Sequence, residues 1–130
     1  MNLAKAQVHL QESLPELMAI YLFGSQASGD ADAASDVDLA VLVRGQVAPL
    51  RLWELSGELA DIVLRPVDLV DLRAASTVMQ YQIITKGRQL WSCGLDAGIY
   101  ELFILGQKTS LDEARGLLIG DVFRDGRIYG

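Results

Sequence analysis

The sequence predicts a small α/β domain: a small mixed β-sheet flanked by helices, with a helical C-terminal extension. Three observations predict it. Short apolar runs at Met18–Phe23, Val37–Val43 and Val67–Val70 have the length and residue content of strands. Stretches in which apolar residues recur at helical spacing alternate with them, and beyond the third run the helical spacing dominates. No internal repeat, low-complexity tract or Gly/Ser/Pro-rich linker interrupts the 130 residues. One domain is therefore expected over 1–130, with an α/β core over 1–92 and the helical extension over 93–130.

The first helix is read from Leu3, Ala6, Leu10, Leu14 and Leu17, with Pro15 ending or kinking it. Met18–Phe23 is apolar on both faces, which suits a central strand covered on both sides. Ser25–Ser28 reads as a short helix with Ser25 as N-cap and Gly29 near its end. In the next strand Val37, Leu39, Val41 and Val43 face one way, while Asp36 and Asp38 face the other with Ala40 and Leu42. Pro49 opens a helix whose stripe is Leu52, Leu55, Leu59 and Ile62, weakened somewhat by Gly57. Val63-Leu64 and Val67–Val70 read as the third strand, with Pro66 pushing it to a sheet edge or marking its start. Ala75, Val78, Met79 and Ile83 form a helix stopped by Gly87. A further helix from about Asp96 carries Ile99, Leu102 and Phe103. The last begins at the capping box Ser110-Leu111-Asp112-Glu113 and runs through Leu117, Leu118 and Phe123.

Composition excludes several classes. An apolar fraction of 51% in a chain of this length buries one real core without staples, and no apolar run approaches a membrane span. Leu3, Lys5, Gln7, His9 and Glu12 alternate at the N-terminus, so no secretory signal is expected. Cys93 is the single cysteine, which rules out a disulfide framework or a thiolate metal site and points to a reducing cytoplasm. Cys93 itself reads as a small buried or half-buried hydrophobe. A net charge of −6 disfavours direct nucleic-acid binding and favours a positively charged protein partner.

The chemistry is concentrated in one pattern: Gly24-Ser25, ten residues, then Asp36-Val37-Asp38. Gly24 lets a backbone approach a phosphate with no Cβ in the way. Ser25 offers a hydroxyl and, with the amides after it, the positive end of a short helix. Asp36 and Asp38, roughly 7 Å apart along a strand rising ~3.3 Å per residue, supply the hard oxygens that magnesium prefers in triphosphate sites. Two ions held there would stabilise both the attacking and the departing oxygen. A third carboxylate is expected near the nucleophile. Asp68 is chosen because it sits in the apolar strand Val67-Asp68-Leu69-Val70, where an unpaired charge is costly, whereas Asp61 and Asp71 are expected to be solvated.

Gly24-Ser25-(ten residues)-Asp36-Val37-Asp38, followed by Val67-Asp68-Leu69-Val70-Asp71, resembles the DNA polymerase β-type nucleotidyltransferase superfamily. More narrowly it resembles the minimal nucleotidyltransferases of the MntA type, antitoxins encoded beside HEPN-domain ribonuclease toxins. The short length and the tail from Gly120 to Gly130 are also similar to that group. The resemblance implies a polymerase β-like fold and an adenylyltransferase that uses ATP and two Mg2+ ions. Its implied reaction is transfer of AMP to a tyrosine hydroxyl of the partner HEPN toxin, which is thereby silenced. It also implies that Gly24 and Ser25 hold the β- and γ-phosphates. Asp36 and Asp38 would ligate both metals, and Asp68 would join them and help activate the incoming hydroxyl.

One departure stands out. Relatives often read Gly-Ser-Arg-Ala-Arg-Gly at the turn, whereas this chain has Gly24-Ser25-Gln26-Ala27-Ser28-Gly29. Either Arg44, Arg65 or Lys86 would replace the missing arginines, with the sequence not choosing among them, or nucleotide affinity would be weaker. His9 reads as a boundary side chain rather than a base; Trp53, Trp91, Phe103 and Phe123 read as core or interface anchors, and Tyr129 as frayed tail. Two alternatives to the adenylyltransferase stay open on sequence. One is a non-catalytic binding antitoxin on the same scaffold. The other is a nucleotidyltransferase acting on a small-molecule acceptor.

Overall fold

The computed structural model describes residues 1–29 and 35–124. Helix α1 (Leu3–Ser13) leads into strand β1 (Leu17–Phe23), a four-residue helix α2 (Ser25–Ser28) and strand β2 (Val37–Val43). Helix α3 (Pro49–Val63) and strand β3 (Val67–Asp71) follow, then a 3-10 turn (Leu72–Ala74), helix α4 (Thr77–Lys86), strand β4 (Arg88–Ser92) and the long helix α5 (Leu95–Arg124). The sheet runs in the order β3-β2-β1-β4. Strand β1 is antiparallel to both its neighbours and β2 is parallel to β3, so the sheet is mixed.

Apolar residues on both faces of β1 and β2 dictate helices on both sides. On one face Val37, Leu39, Val41 and Val43 of β2 pack with Ile20 and Leu22 of β1 against Ala6 and Leu10 of α1 and Leu55, Leu59 and Val63 of α3. On the other, Ala19, Tyr21, Ala40 and Leu42 pack against Ile83 of α4 and Ala97 and Ile104 of α5. The alternation expected along Val37–Val43 is therefore observed, and it sends Asp38 to the α4/α5 side with Ala40 and Leu42.

Several expectations need correction. Ser25 is not the cap of α2: Gly24 holds the N-cap position, and Gly29 closes the helix in the left-handed region at φ 84°. Val63-Leu64 is not strand but helix end, with Leu64 as a left-handed cap at φ 59° and β3 starting after Pro66, at the sheet edge. Strand β4 was not anticipated. The C-terminal segment is one helix rather than two: Gly106 lies between Phe103 and Ser110 but does not end the helix, and the capping-box sequence is carried within it. Asp71 is buried, 2% exposed, where solvation was expected. Its carboxylate accepts the Val47 N–H at 2.8 Å and the Arg73 N–H at 3.1 Å, capping the 3-10 turn. Cys93 is exposed, as are Trp53 and Phe103. The side chains of Leu117, Leu118 and Phe123, and all of Tyr129, lie outside the described residues.

Candidate functional site

The parallel register of β3 on β2 pairs Asp38 with Asp68, and the antiparallel register of β1 pairs Asp38 with Phe23, the residue before Gly24. Register partners share a face, so one half-buried carboxylate on the second strand has a carboxylate beside it and the Gly-Ser turn on its other flank. Asp36 stands one residue before β2, and the Val37 N–H donates to the Pro66 carbonyl at 2.9 Å, tying the starts of β2 and β3 together. Asp36, Asp38 and Asp68 are thus brought to one end of the sheet by strand pairing.

Burial raises the pKa of Asp38, and the neighbouring charges of Asp68 and then Asp36 raise it further. The mutual repulsion of these carboxylates is the electrostatic condition that a bound cation would relieve. The carboxylates adjoin without closing: among the described residues no three His, Cys, Asp or Glu side chains are gathered tightly enough to grip an ion as they stand. Both Asp36 and Asp68 are exposed, so the cost of burial that singled out Asp68 in the sequence does not apply. What places Asp68 is its register opposite Asp38.

Gly24 provides the second half of the geometry. It adopts φ 70° and ψ −151°, a combination essentially confined to glycine. A Cβ built on it would stand 2.3 Å from Oδ2 of Asp38. The turn and the carboxylate therefore approach each other as closely as a bare Cα permits. From this turn the α2 hydrogen bonds begin, with the Ala27 and Ser28 N–H groups donating to the Gly24 carbonyl at 3.2 and 3.1 Å. The amides of Ser25 and Gln26 precede those bonds, which is where a helix offers donors to an anion. Gln26, in place of an arginine, points its amide at the carbonyls of Ser35 and Asp36 at 3.5 Å, a long contact that leans α2 toward the start of β2.

Two cavities flank this centre. One of about 350 Å3 is lined by Phe23, Gly24, Ser28, Gln82 and Lys86. The other, an open groove of about 810 Å3 along α3 and β3, includes Trp53, Gly57, Asp61, Pro66 and Asp68 in its lining. Two further cavities, near Tyr100 and near Val47, contain neither Gly24 nor any of the three carboxylates. Of the three cations left open by the sequence, Arg44 pairs with Asp96 at 2.8 Å and lies at the far end of β2 from Asp38. Arg65 precedes Pro66 at the β3 edge, and Lys86 lies beside Gly24. His9 pairs with Glu58 at 2.7 Å and is partly exposed, in agreement with its boundary reading.

A mixed sheet that holds a Gly-Ser turn against paired strand carboxylates is the arrangement of a nucleotidyltransferase. Residues 5–93 match the family described as Polymerase beta, Nucleotidyltransferase, and the chain belongs to that family. The chain is 39% identical over 113 residues to the protein adenylyltransferase MntA of Shewanella oneidensis, covering 87% of this chain and 81% of that protein. Among solved structures it is similar to a toxin-antitoxin crystal structure with AMP-PNP, at 37% identity and a TM-score of 0.83, covering 95% of this chain and 99% of that one. It is also similar to a chain in the complex of tri-AMPylated Shewanella oneidensis HEPN toxin with MNT antitoxin, at 33% identity and a TM-score of 0.73 over 95% and 99% of the two chains.

Proposed function

We propose that this chain is a protein adenylyltransferase antitoxin that transfers AMP from ATP to a tyrosine hydroxyl of a partner HEPN ribonuclease toxin and so neutralises it. The observation that carries the reading is the close approach of the Gly24 turn to Asp38, itself in register with Asp68. The likeness to MntA and to toxin-antitoxin complexes with AMP-PNP and with AMPylated toxin supplies the substrate and the partner.

In this reading Gly24 and Ser25 hold the β- and γ-phosphates against the turn. Asp36, Asp38 and Asp68 are the metal ligands, and the donor set fits magnesium: hard carboxylate oxygens, mutual repulsion at Asp38, and a glycine that leaves room for phosphate beside them. When bound, two Mg2+ ions supply charge neutralisation on the phosphates and at the attacking and leaving oxygens. Asp68, on the edge strand and in register with Asp38, is assigned to the acceptor side. The acceptor oxygen bonds to the α-phosphorus as the bond from that phosphorus to the bridging oxygen breaks. Pyrophosphate departs on the Gly24 side, and the hydroxyl proton passes to Asp68 and then to solvent.

The partner side of the reading rests on two features. The net charge of −6 suits a basic, RNA-binding partner. Leu95, Ile99, Leu102 and Phe103 leave an exposed apolar strip along α5 of the kind protein partners cover. No helix among the described residues is long and apolar enough to cross a membrane, and we place the reaction in the reducing cytoplasm on the single exposed cysteine.

The direct test uses ATP labelled at either end, with Mg2+ and the partner toxin. Label at the α-phosphate is expected to enter the toxin and label at the γ-phosphate is not. Transfer of the γ-label, or incorporation undiminished by chelation of the metal, contradicts the reading.

A further inference from the structure

We propose that Lys86 is the triphosphate-binding cation of this chain, taking over from α4 the work that arginines at the Gly-Ser turn would do. The assignment rests on the nucleotidyl-transfer reading above. It starts from a deficit: α2 reads Ser25-Gln26-Ala27-Ser28 and carries no positive charge, while a triphosphate brings several negative ones. A cation has to reach the leaving side of the site from elsewhere in the fold.

Sheet order decides which one. Across β3-β2-β1-β4 the groups follow as Asp68, Asp38, Gly24 and then the α4–β4 junction. In-line transfer sets the departing pyrophosphate opposite the attacking oxygen. With the acceptor at Asp68, the pyrophosphate leaves toward β1 and β4. Arg65 is on the acceptor edge, and Arg44, bound to Asp96, is at the other end of β2, roughly 20 Å away at ~3.3 Å per residue. Lys86 shares the cavity of about 350 Å3 with Gly24 and Ser28, and makes no ion pair among the described residues. Gln82, one helical turn earlier, lines the same cavity and adds an amide donor.

The backbone holds Lys86 in place. At Gly87 an added Cβ would meet the Ile83 carbonyl oxygen at 2.3 Å and the Leu22 carbonyl oxygen at 3.0 Å. The chain thus turns hard against the end of β1 immediately after Lys86, so the lysine emerges two strand positions from the Gly-Ser turn. Leu22 pairs with Arg88, so the α4–β4 junction meets β1 two residues before Gly24. A competing role for Lys86 is to balance the negative C-terminal end of α4, and that role predicts a loss of stability with no preference among nucleotides.

Calorimetric titration of the full chain with AMP-PNP and with AMP, both with Mg2+, separates the two. Lys86→Gln is expected to weaken AMP-PNP binding about ten-fold, the scale of one charge-assisted contact, and to leave AMP within about two-fold. Lys86→Arg is expected to restore AMP-PNP binding, and Arg88→Gln to leave both nucleotides unchanged. Unaltered AMP-PNP binding by Lys86→Gln, or equal loss of both nucleotides, would overturn the assignment alone. A wild-type chain that binds neither nucleotide would overturn the reading of the site and the assignment with it.

Discussion

Gly24 and Asp38 are the pair of residues on which the site turns, because each is intelligible only through the other. The glycine occupies φ 70°, ψ −151° and lies so close to Oδ2 of Asp38 that a methyl group has nowhere to go. Gly24→Ala is expected to lower adenylyl transfer at least about a hundred-fold by displacing the carboxylate, and to cost about 1–3 kcal/mol of stability from backbone strain. Label transfer and thermal unfolding of the variant check the two parts. Asp38 has the opposite balance, since its pKa is raised by burial, then by Asp68 and Asp36. With a folded pKa above the ordinary 3.8, the native state binds more protons than the unfolded one across that interval. Stability therefore falls as pH rises through the interval, and the full cost is borne at neutral pH. Asp38→Asn is expected to abolish transfer yet raise Tm by about 2 °C at pH 7, with the gain vanishing at acid pH. A lower Tm at pH 7 would show that the carboxylate stabilises the fold instead. The Gly-Ser turn and the Asp36-Val37-Asp38 pattern were legible in the sequence because their spacing is local. Asp68 was chosen on burial, whereas its exposed side chain owes its place to a pairing between strands that spacing alone does not encode.

The elements behind these residues are held by polar contacts that sequence patterns show poorly. Asp71 continues β3 but turns its carboxylate inward, onto the Val47 and Arg73 N–H groups. It fastens the end of the edge strand to the loop that follows β2. Asp71→Ala is expected to cost about 2–3 kcal/mol, read as a lower midpoint in urea, while AMP-PNP affinity at 10 °C stays within about two-fold. Strand β4 was not legible because Arg88-Gln89-Leu90-Trp91-Ser92 is a short edge segment with little apolar alternation. Its position follows from packing, and Tyr21 helps fix it: the phenol donates to Glu101 of α5, and the Gln89 amide of β4 donates to the same carboxylate at 2.9 Å. The capping-box sequence at Ser110 misleads for a similar reason. A cap motif marks a helix start only where the preceding turn is broken, and here the helix runs through it unbroken from Leu95. The stripe of α3 was readable because it buries one face against the sheet, whereas that of α1 holds only to Leu10, with Leu14 at the cap and Leu17 already in β1.

At the scale of the molecule, sheet order converts sequence into function. Asp68, Asp38, Gly24 and then the α4–β4 junction that carries Lys86 follow one another across the sheet, although these residues are scattered from 24 to 86, and the proposed mechanism would use them in that order. Helices on both faces keep that line rigid and leave α5 with an apolar strip turned outward. The charge of −6 then acts at longer range. Association with a basic toxin is expected to slow roughly ten-fold between 50 and 500 mM salt, whereas an on-rate indifferent to salt would assign recognition to the apolar contacts alone. The most direct test of the central claim is the intact mass of the proposed HEPN toxin partner, co-expressed with wild type or with the Asp36→Asn, Asp38→Asn variant. The account predicts a gain of whole AMP units with wild type and none with the variant. A toxin that stays unmodified yet is held inactive in complex with wild type would contradict it, leaving an antitoxin that works by binding.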